Sequence, residues 1–137
     1  MGDKINLALI GAGHWGKNLA RVFHELGILK TICESSKEIL LKEAAKYPKI
    51  NTTSSFAEVL ASPDINAIAI ATQAEQHYSL AKKSLLADKH VFVEKPLSMT
   101  AQEGEDLVQI AKRQGKVLFV GHILQYHSAV QTVKRML

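Results

Sequence analysis

Ile5-Asn6-Leu7-Ala8-Leu9-Ile10-Gly11-Ala12-Gly13-His14-Trp15-Gly16 is the stretch that decides the fold of this 137-residue chain. Its first half is a short, mostly apolar run that reads as a buried strand. Its second half spaces three glycines as GxGxxG, and a helical pattern over His14–Leu26 follows. The glycine spacing acquires a physical meaning when it joins a strand to a helix. Gly11 allows a tight turn, Gly13 leaves no side chain in the path of a pyrophosphate, and Gly16 lets the helix approach the strand closely. The first N–H groups of a helix have no partner within it, so they attract an anion, helped by the helix dipole. Gly11, Ala12, Gly13, His14, Trp15 and Gly16 are therefore read as a phosphate-binding loop. Trp15 itself is expected to pack beside that loop.

Working outward, the same alternation continues. Strands are expected at Leu29–Cys33, Ala67–Ala71, His90–Val93 and Lys116–Val120. Helices are expected at Lys37–Tyr47, Ser55–Ala61, Glu75–Ala87, Thr100–Gln114 and Ser128–Leu137. Pro48 cannot continue the helix before it. Thr100 with Glu103 forms a capping-box pattern, and Gly115 is a helix stop. The runs INLALI, AIAIA, HVFV and VLFV are apolar almost throughout, which means burial on both faces, as in a parallel sheet covered by helices. The fold class expected is α/β, a Rossmann-type, doubly wound, mostly parallel sheet with helices on both faces.

Composition narrows the function. Hydrophobic residues make up 47% of the chain, enough for one sizeable core. The net charge is +4, but Lys and Arg are scattered, so nucleic acid is not an expected partner. Cys33 is the only cysteine, so no internal disulfide can form and a reducing, cytoplasmic location is expected. The first apolar run is too short for a signal-peptide core or a membrane span. Met1-Gly2 opens like a myristoylation signal, but Asn6 stands where Ser or Thr is needed. His14, His77, His90, His122 and His127 show no i, i+4 pair and no cysteine partner, so no metal site is expected.

Glu34 ends the second strand about twenty residues after the loop, where an acidic residue binds the adenosine ribose. A carboxylate accepts hydrogen bonds from both ribose hydroxyls and repels a 2′-phosphate. NAD is therefore expected over NADP, although Ser35, Ser36 and Lys37 offer groups that could cradle a phosphate. A methyltransferase is the competing use of such a first turn, and Gly16 argues against it.

Three further motifs follow in order: Ala71-Thr72-Gln73-Ala74-Glu75-Gln76-His77, then Glu94-Lys95-Pro96, then Gly121-His122-Ile123-Leu124-Gln125-Tyr126-His127. Together with the glycine loop they resemble the Gfo/Idh/MocA family of NAD(P)-dependent oxidoreductases over essentially the whole chain. His14-Trp15-Gly16-Lys17-Asn18 and the Gly121–His127 stretch resemble its branch of nucleotide-sugar 3-dehydrogenases. Gln73 and Ser128 depart from the pattern, both at positions where proline is frequent.

The resemblance implies an NAD(P)-binding domain over residues 1–125. Residues 126–137 would begin a helix leading to a C-terminal substrate domain absent from this chain, and a homo-oligomer is expected of a full-length parent. The helical pattern Val133-Lys134-Arg135-Met136-Leu137 runs to the last residue and also leads us to expect a longer parent. The substrate implied is a sugar or nucleotide sugar, from which hydride passes to NAD while a base takes the hydroxyl proton. Lys95 is the expected base, shared with a His of the missing domain, and is also counted among the cofactor-binding residues. It lies just past a parallel strand, where ligands bind in such sheets. Glu94 is expected to orient Lys95 or meet the nicotinamide ribose, and Pro96 to fix the turn, with a cis Lys95–Pro96 bond. Thr72 and Gln73 are placed along the pyrophosphate and nicotinamide ribose. His77 is expected either to touch the ribose or to pack. His122 and Tyr126 are expected on the substrate side. The alternative is a non-catalytic nucleotide-binding or regulatory protein on the same fold.

Overall fold

The computed structural model describes residues 4–137, and Met1-Gly2 lies outside them. In chain order the elements are β1 (Leu7–Ile10), α1 (Gly16–Glu25), β2 (Leu29–Cys33), α2 (Lys37–Lys46), β3 (Asn51–Thr53), α3 (Phe56–Ala61), β4 (Ala67–Ile70), α4 (Ala74–Leu86), β5 (His90–Val93), α5 (Ala101–Gln114) and β6 (Leu118–Val120). A 3₁₀ turn (Ile123–Tyr126) and α6 (Ser128–Met136) follow. The six strands form one sheet in the order β3-β2-β1-β4-β5-β6. Every neighbouring pair is parallel. This is a Rossmann-type α/β fold. The chain starts in the middle, winds to one edge, returns and winds to the other. The order reverses between β1 and β4, and a crevice opens there at the carboxyl ends of the strands.

The period of two along each strand sorts the core into two layers. Leu7 and Leu9 face one side, packed with Ala20 of α1, Ile32 of β2 and Ile39 of α2. Ala8 and Ile10 face the other, packed with Val59 of α3, Ala81 and Leu85 of α4, and Leu107 and Ile110 of α5. Leu9, Ile68, Ile70, Leu85 and Leu107 are fully buried, and truncating one such side chain to Ala costs about 2–5 kcal/mol.

The helix ends follow local chemistry. Ser36 caps α2 by accepting the Ile39 N–H, and Ser55 caps α3 by accepting the Glu58 N–H. Thr100 and Glu103 form the reciprocal capping box at α5, which stops at Gly115 in the left-handed conformation. On the outer surface Lys82 of α4 donates to Asp106 of α5 at 2.8 Å, and the Tyr78 hydroxyl donates to the same Asp106 oxygen at 2.8 Å.

β3 is the one strand that the sequence reading lacks. It is three residues long, polar, and lies at the sheet edge, so it carries no apolar run to betray it. At the other end, α6 has no buried residue. Among the described residues no helix is long and apolar enough to cross a membrane, and no group of three His, Cys, Asp or Glu could hold a metal ion.

Candidate functional site

The crevice is a groove of about 860 Å³ over the ends of β1, β2 and β4. Its floor is the turn between β1 and α1, and the three glycines of that turn serve three different needs. Gly11 has φ +89°, and a Cβ there would lie 2.8 Å from the Ala71 carbonyl oxygen. A Cβ on Gly16 would overlap the Gly11 carbonyl oxygen, so Gly16 is required by the turn itself. A Cβ on Gly13 would meet nothing within 4 Å. Gly13 is therefore not needed by the fold. It lines the groove beside His14 and Trp15, where an added side chain would project into open space.

Glu34, at the end of β2, is bound into this floor. One carboxylate oxygen accepts the Ala12 N–H at 2.8 Å. The other accepts the Ser36 N–H at 2.9 Å and the Ser35 hydroxyl at 3.2 Å. Ser36 is thus held by its own helix cap and by Glu34. Ile10, Cys33, Ile39, Phe56 and Leu80 add an apolar wall that could hold a flat ring, while Ser54, Gln76 and Ser79 add polar groups. Sequence reasoning missed these wall residues. They come from separate strands, helices and connecting loops, and only the topology gathers them. Cys33 has its thiol pushed up to about 11, by burial first and by Glu34 and Glu58 after that, so it stays protonated and unreactive at neutral pH.

Thr72 and Gln73, at the end of β4, line the same groove. His77 does not. Its ring is 1% exposed, with Nδ1 2.6 Å from the Pro96 carbonyl oxygen and Nε2 3.1 Å from the Thr72 carbonyl oxygen. The ring thus joins the chain just after β4 to the chain just after β5.

Glu94 is also buried, at 9% exposure, and its carboxylate accepts the Trp15 indole N–H at 2.9 Å. Trp15 is accordingly more than the packing residue expected: its ring is 43% exposed and its polar edge is engaged. Lys95 is exposed, and among the described residues it makes no hydrogen bond or ion pair; its bond to Pro96 is cis. His122 and Tyr126 lie beyond β6, exposed, with Tyr126 at 71%. The structure therefore gathers the loop residues, Glu34, Thr72 and Gln73 around one groove. It sets Glu94 and Lys95 at the next strand end and leaves His122 and Tyr126 outside the groove lining.

Comparison with known proteins agrees with this geometry. The family described as "Oxidoreductase family, NAD-binding Rossmann fold" (GFO_IDH_MocA) matches residues 5–122. An uncharacterised oxidoreductase of Escherichia coli, YdgJ, is 34% identical over 143 aligned residues, which cover 100% of this chain and 40% of that protein. Among solved structures, the WlbA dehydrogenase of Bordetella pertussis, in complex with NADH and UDP-GlcNAcA, superposes with a TM-score of 0.89 at 28% identity, covering 98% of this chain and 41% of that one. Biliverdin reductase of Synechocystis, in complex with biliverdin and NADP+, superposes with a TM-score of 0.89 at 27% identity, covering 97% of this chain and 42% of that one. The chain thus spans about two fifths of the length of these relatives.

Proposed function

The chain belongs to the Gfo/Idh/MocA oxidoreductase family, and from that premise we propose that it is the cofactor-holding part of an NAD-dependent dehydrogenase of a sugar or nucleotide sugar. The observation that carries the reading is the pairing of an open cradle at Gly13 with a carboxylate at Glu34 on the same groove floor. The cradle fits a pyrophosphate, and the carboxylate fits a ribose bearing two free hydroxyls.

In this reading the loop N–H groups of Gly13, His14 and Trp15 hold the pyrophosphate, aided by the start of α1, while those of Gly11 and Ala12 are spent on Cys33 and Glu34. Glu34 accepts the adenosine ribose hydroxyls. It already draws on the N–H groups of Ala12 and Ser36, so its charge is fixed in place before any ligand arrives. A 2′-phosphate would meet that charge, which favours NAD over NADP. The apolar wall from Ile39 to Leu80 takes the adenine. Thr72 and Gln73 border the nicotinamide-side ribose, and His77 supports both strand ends from below. NAD, when bound, supplies a hydride acceptor. Lys95 Nζ is the group that hydrogen-bonds the substrate hydroxyl and receives its proton. Residues 126–137 lead from this domain toward a substrate domain, and the exposed His122 and Tyr126 are assigned to the substrate side. The WlbA structure, solved with a nucleotide sugar, supports the substrate class.

Calorimetric titration of the chain with NADH and NADPH tests the cofactor. Tighter NADH binding is expected, and equal or tighter NADPH binding would refute the role of Glu34. Assays of NAD reduction with a panel of sugars and UDP-sugars test the chemistry. The chain alone should bind cofactor with little turnover. One domain provides one wall of the pocket, and misplacing the reacting carbon by about 1 Å costs on the order of a hundredfold. In a longer protein carrying this domain, Lys95→Ala should lower turnover strongly at saturating cofactor. Undiminished turnover would overturn the catalytic role of Lys95, and a parent with no turnover on any of these substrates would leave the non-catalytic alternative.

A further inference from the structure

The loop after β1 and the end of β5 are joined by a hydrogen bond between residues 79 positions apart in sequence, from the Trp15 indole N–H to the Glu94 carboxylate. Three features make this a built contact. Glu94 is 9% exposed, and a polar group withdrawn from water that far needs a hydrogen-bond partner. Gly121 makes room for it: a Cβ at Gly121 would stand 3.0 Å from the Glu94 Oε1 and 3.0 Å from the Phe92 ring. Trp15 occupies the cap position of α1, where a donor-only indole cannot cap the helix, and its N–H reaches across to the end of β5. A phenylalanine would fill the same place but could not donate. The ring also lines the groove, so it is shared by the phosphate loop and the strand end that carries Lys95.

We propose that Trp15 is a positioning residue that bolts Glu94, and with it the start of Glu94-Lys95-Pro96, to the phosphate loop. This rests on the cofactor reading given above. The fixed Glu94 carboxylate then accepts a hydroxyl of the nicotinamide-side ribose, while the adenosine side is held separately by Glu34. Removing the indole N–H leaves the adenosine side intact and frees Glu94 to turn. The nicotinamide half of the cofactor should therefore lose affinity selectively.

The test uses the whole chain with Trp15→Phe and Glu94→Gln, each checked by thermal melting, and titrates NADH and ADP as probes. Trp15→Phe removes the donor that fixes Glu94 and should weaken NADH binding by about tenfold or more. ADP binding should stay within about twofold of the parent chain. Equal losses for NADH and ADP, or no loss for NADH, overturn the positioning role. Trp15 is the only tryptophan in the chain, so its indole N–H gives one resonance in a ¹⁵N correlation spectrum. Glu94→Gln should move that resonance, because a neutral amide is a weaker acceptor than a carboxylate. An unmoved resonance overturns the bolt whether or not any cofactor binds. Failure of the unmodified chain to bind either probe overturns the cofactor reading instead, and the resonance still decides the contact.

Discussion

At the ends of β1 and β2 the chain answers its own polar groups. Ala12 and Ser36 donate to Glu34, Ser36 caps α2, and Gly11 N–H reaches the Cys33 carbonyl oxygen at 2.9 Å. At the end of β5, Lys95 extends into solvent, and among the described residues it has no polar partner. These two regions sit on the same edge of one sheet, and the comparison separates two jobs. Holding a nucleotide needs a rigid frame, which one domain can make alone. Acting on a substrate hydroxyl needs a base left free to meet it, and a second wall to exclude water. The finished region should tolerate little change, whereas the open one should tolerate change without loss of cofactor.

The largest expected effect breaks the finished side at its cradle. Gly13→Val should leave thermal stability close to that of the parent chain, since a Cβ there meets nothing, while NADH affinity drops on the order of a hundredfold or more. Melting curves beside calorimetric titrations measure both, and normal NADH binding by the folded variant would end the phosphate-loop reading. Its neighbour Gly16 should respond in the opposite way: Gly16→Ala is expected to lower the melting temperature, because the new Cβ overlaps the Gly11 carbonyl.

Next in size is Glu34→Ala. It removes the acceptor of Ala12 and Ser36 as well as the ribose partner, so NADH affinity should fall by about tenfold and the margin over NADPH should shrink. Paired titrations with the two cofactors give both numbers. A variant that keeps the parental preference would move discrimination elsewhere. Lys95→Ala sharpens the contrast from the open side: NADH affinity of the chain should change by less than about twofold. A large loss there would mean that Lys95 holds cofactor rather than substrate.

The smallest effect lies away from both regions. Lys82, and after it the Tyr78 hydroxyl, hold the Asp106 carboxyl below its ordinary range, while Asp106 in turn raises Lys82. A carboxyl lowered in the folded state stabilises it at neutral pH, and that contribution disappears as pH falls through the lowered value. Asp106→Asn should therefore cost a little stability at neutral pH and nothing once the carboxyl is protonated, with the difference shrinking in salt. Melting temperature against pH for the two proteins shows whether the curves converge on the acid side.

Much of the frame was legible because it is written locally. Apolar runs gave five strands, Thr100 with Glu103 gave the start of α5, and the glycine spacing placed the loop at the β1–α1 turn. β3 was not legible, since Asn51-Thr52-Thr53 has neither an apolar run nor an alternating pattern. Within the site, Glu34 could be found by its distance along the chain from the glycines. Phe56, Gln76 and Leu80 could not, because helices and linkers facing the groove from the far side share no spacing with it. The Trp15–Glu94 contact was invisible for the same reason, being a product of the strand order. His77 shows the reverse case, where a histidine easily picked out in sequence lies under the site.

Cys33 gives this domain an alkaline weakness and a clock. Its thiol ionises at about 11 in the folded chain, above its ordinary value, so the unfolded state releases the proton first. The stability this group lends is whole below the ordinary thiol value and drains away as pH climbs toward the folded one. Cys33 lines the groove but is only 5% exposed, so a thiol reagent at neutral pH should label it faster whenever the wall loosens. The labelling rate therefore tracks that loosening, and a cofactor bound against that wall should slow it.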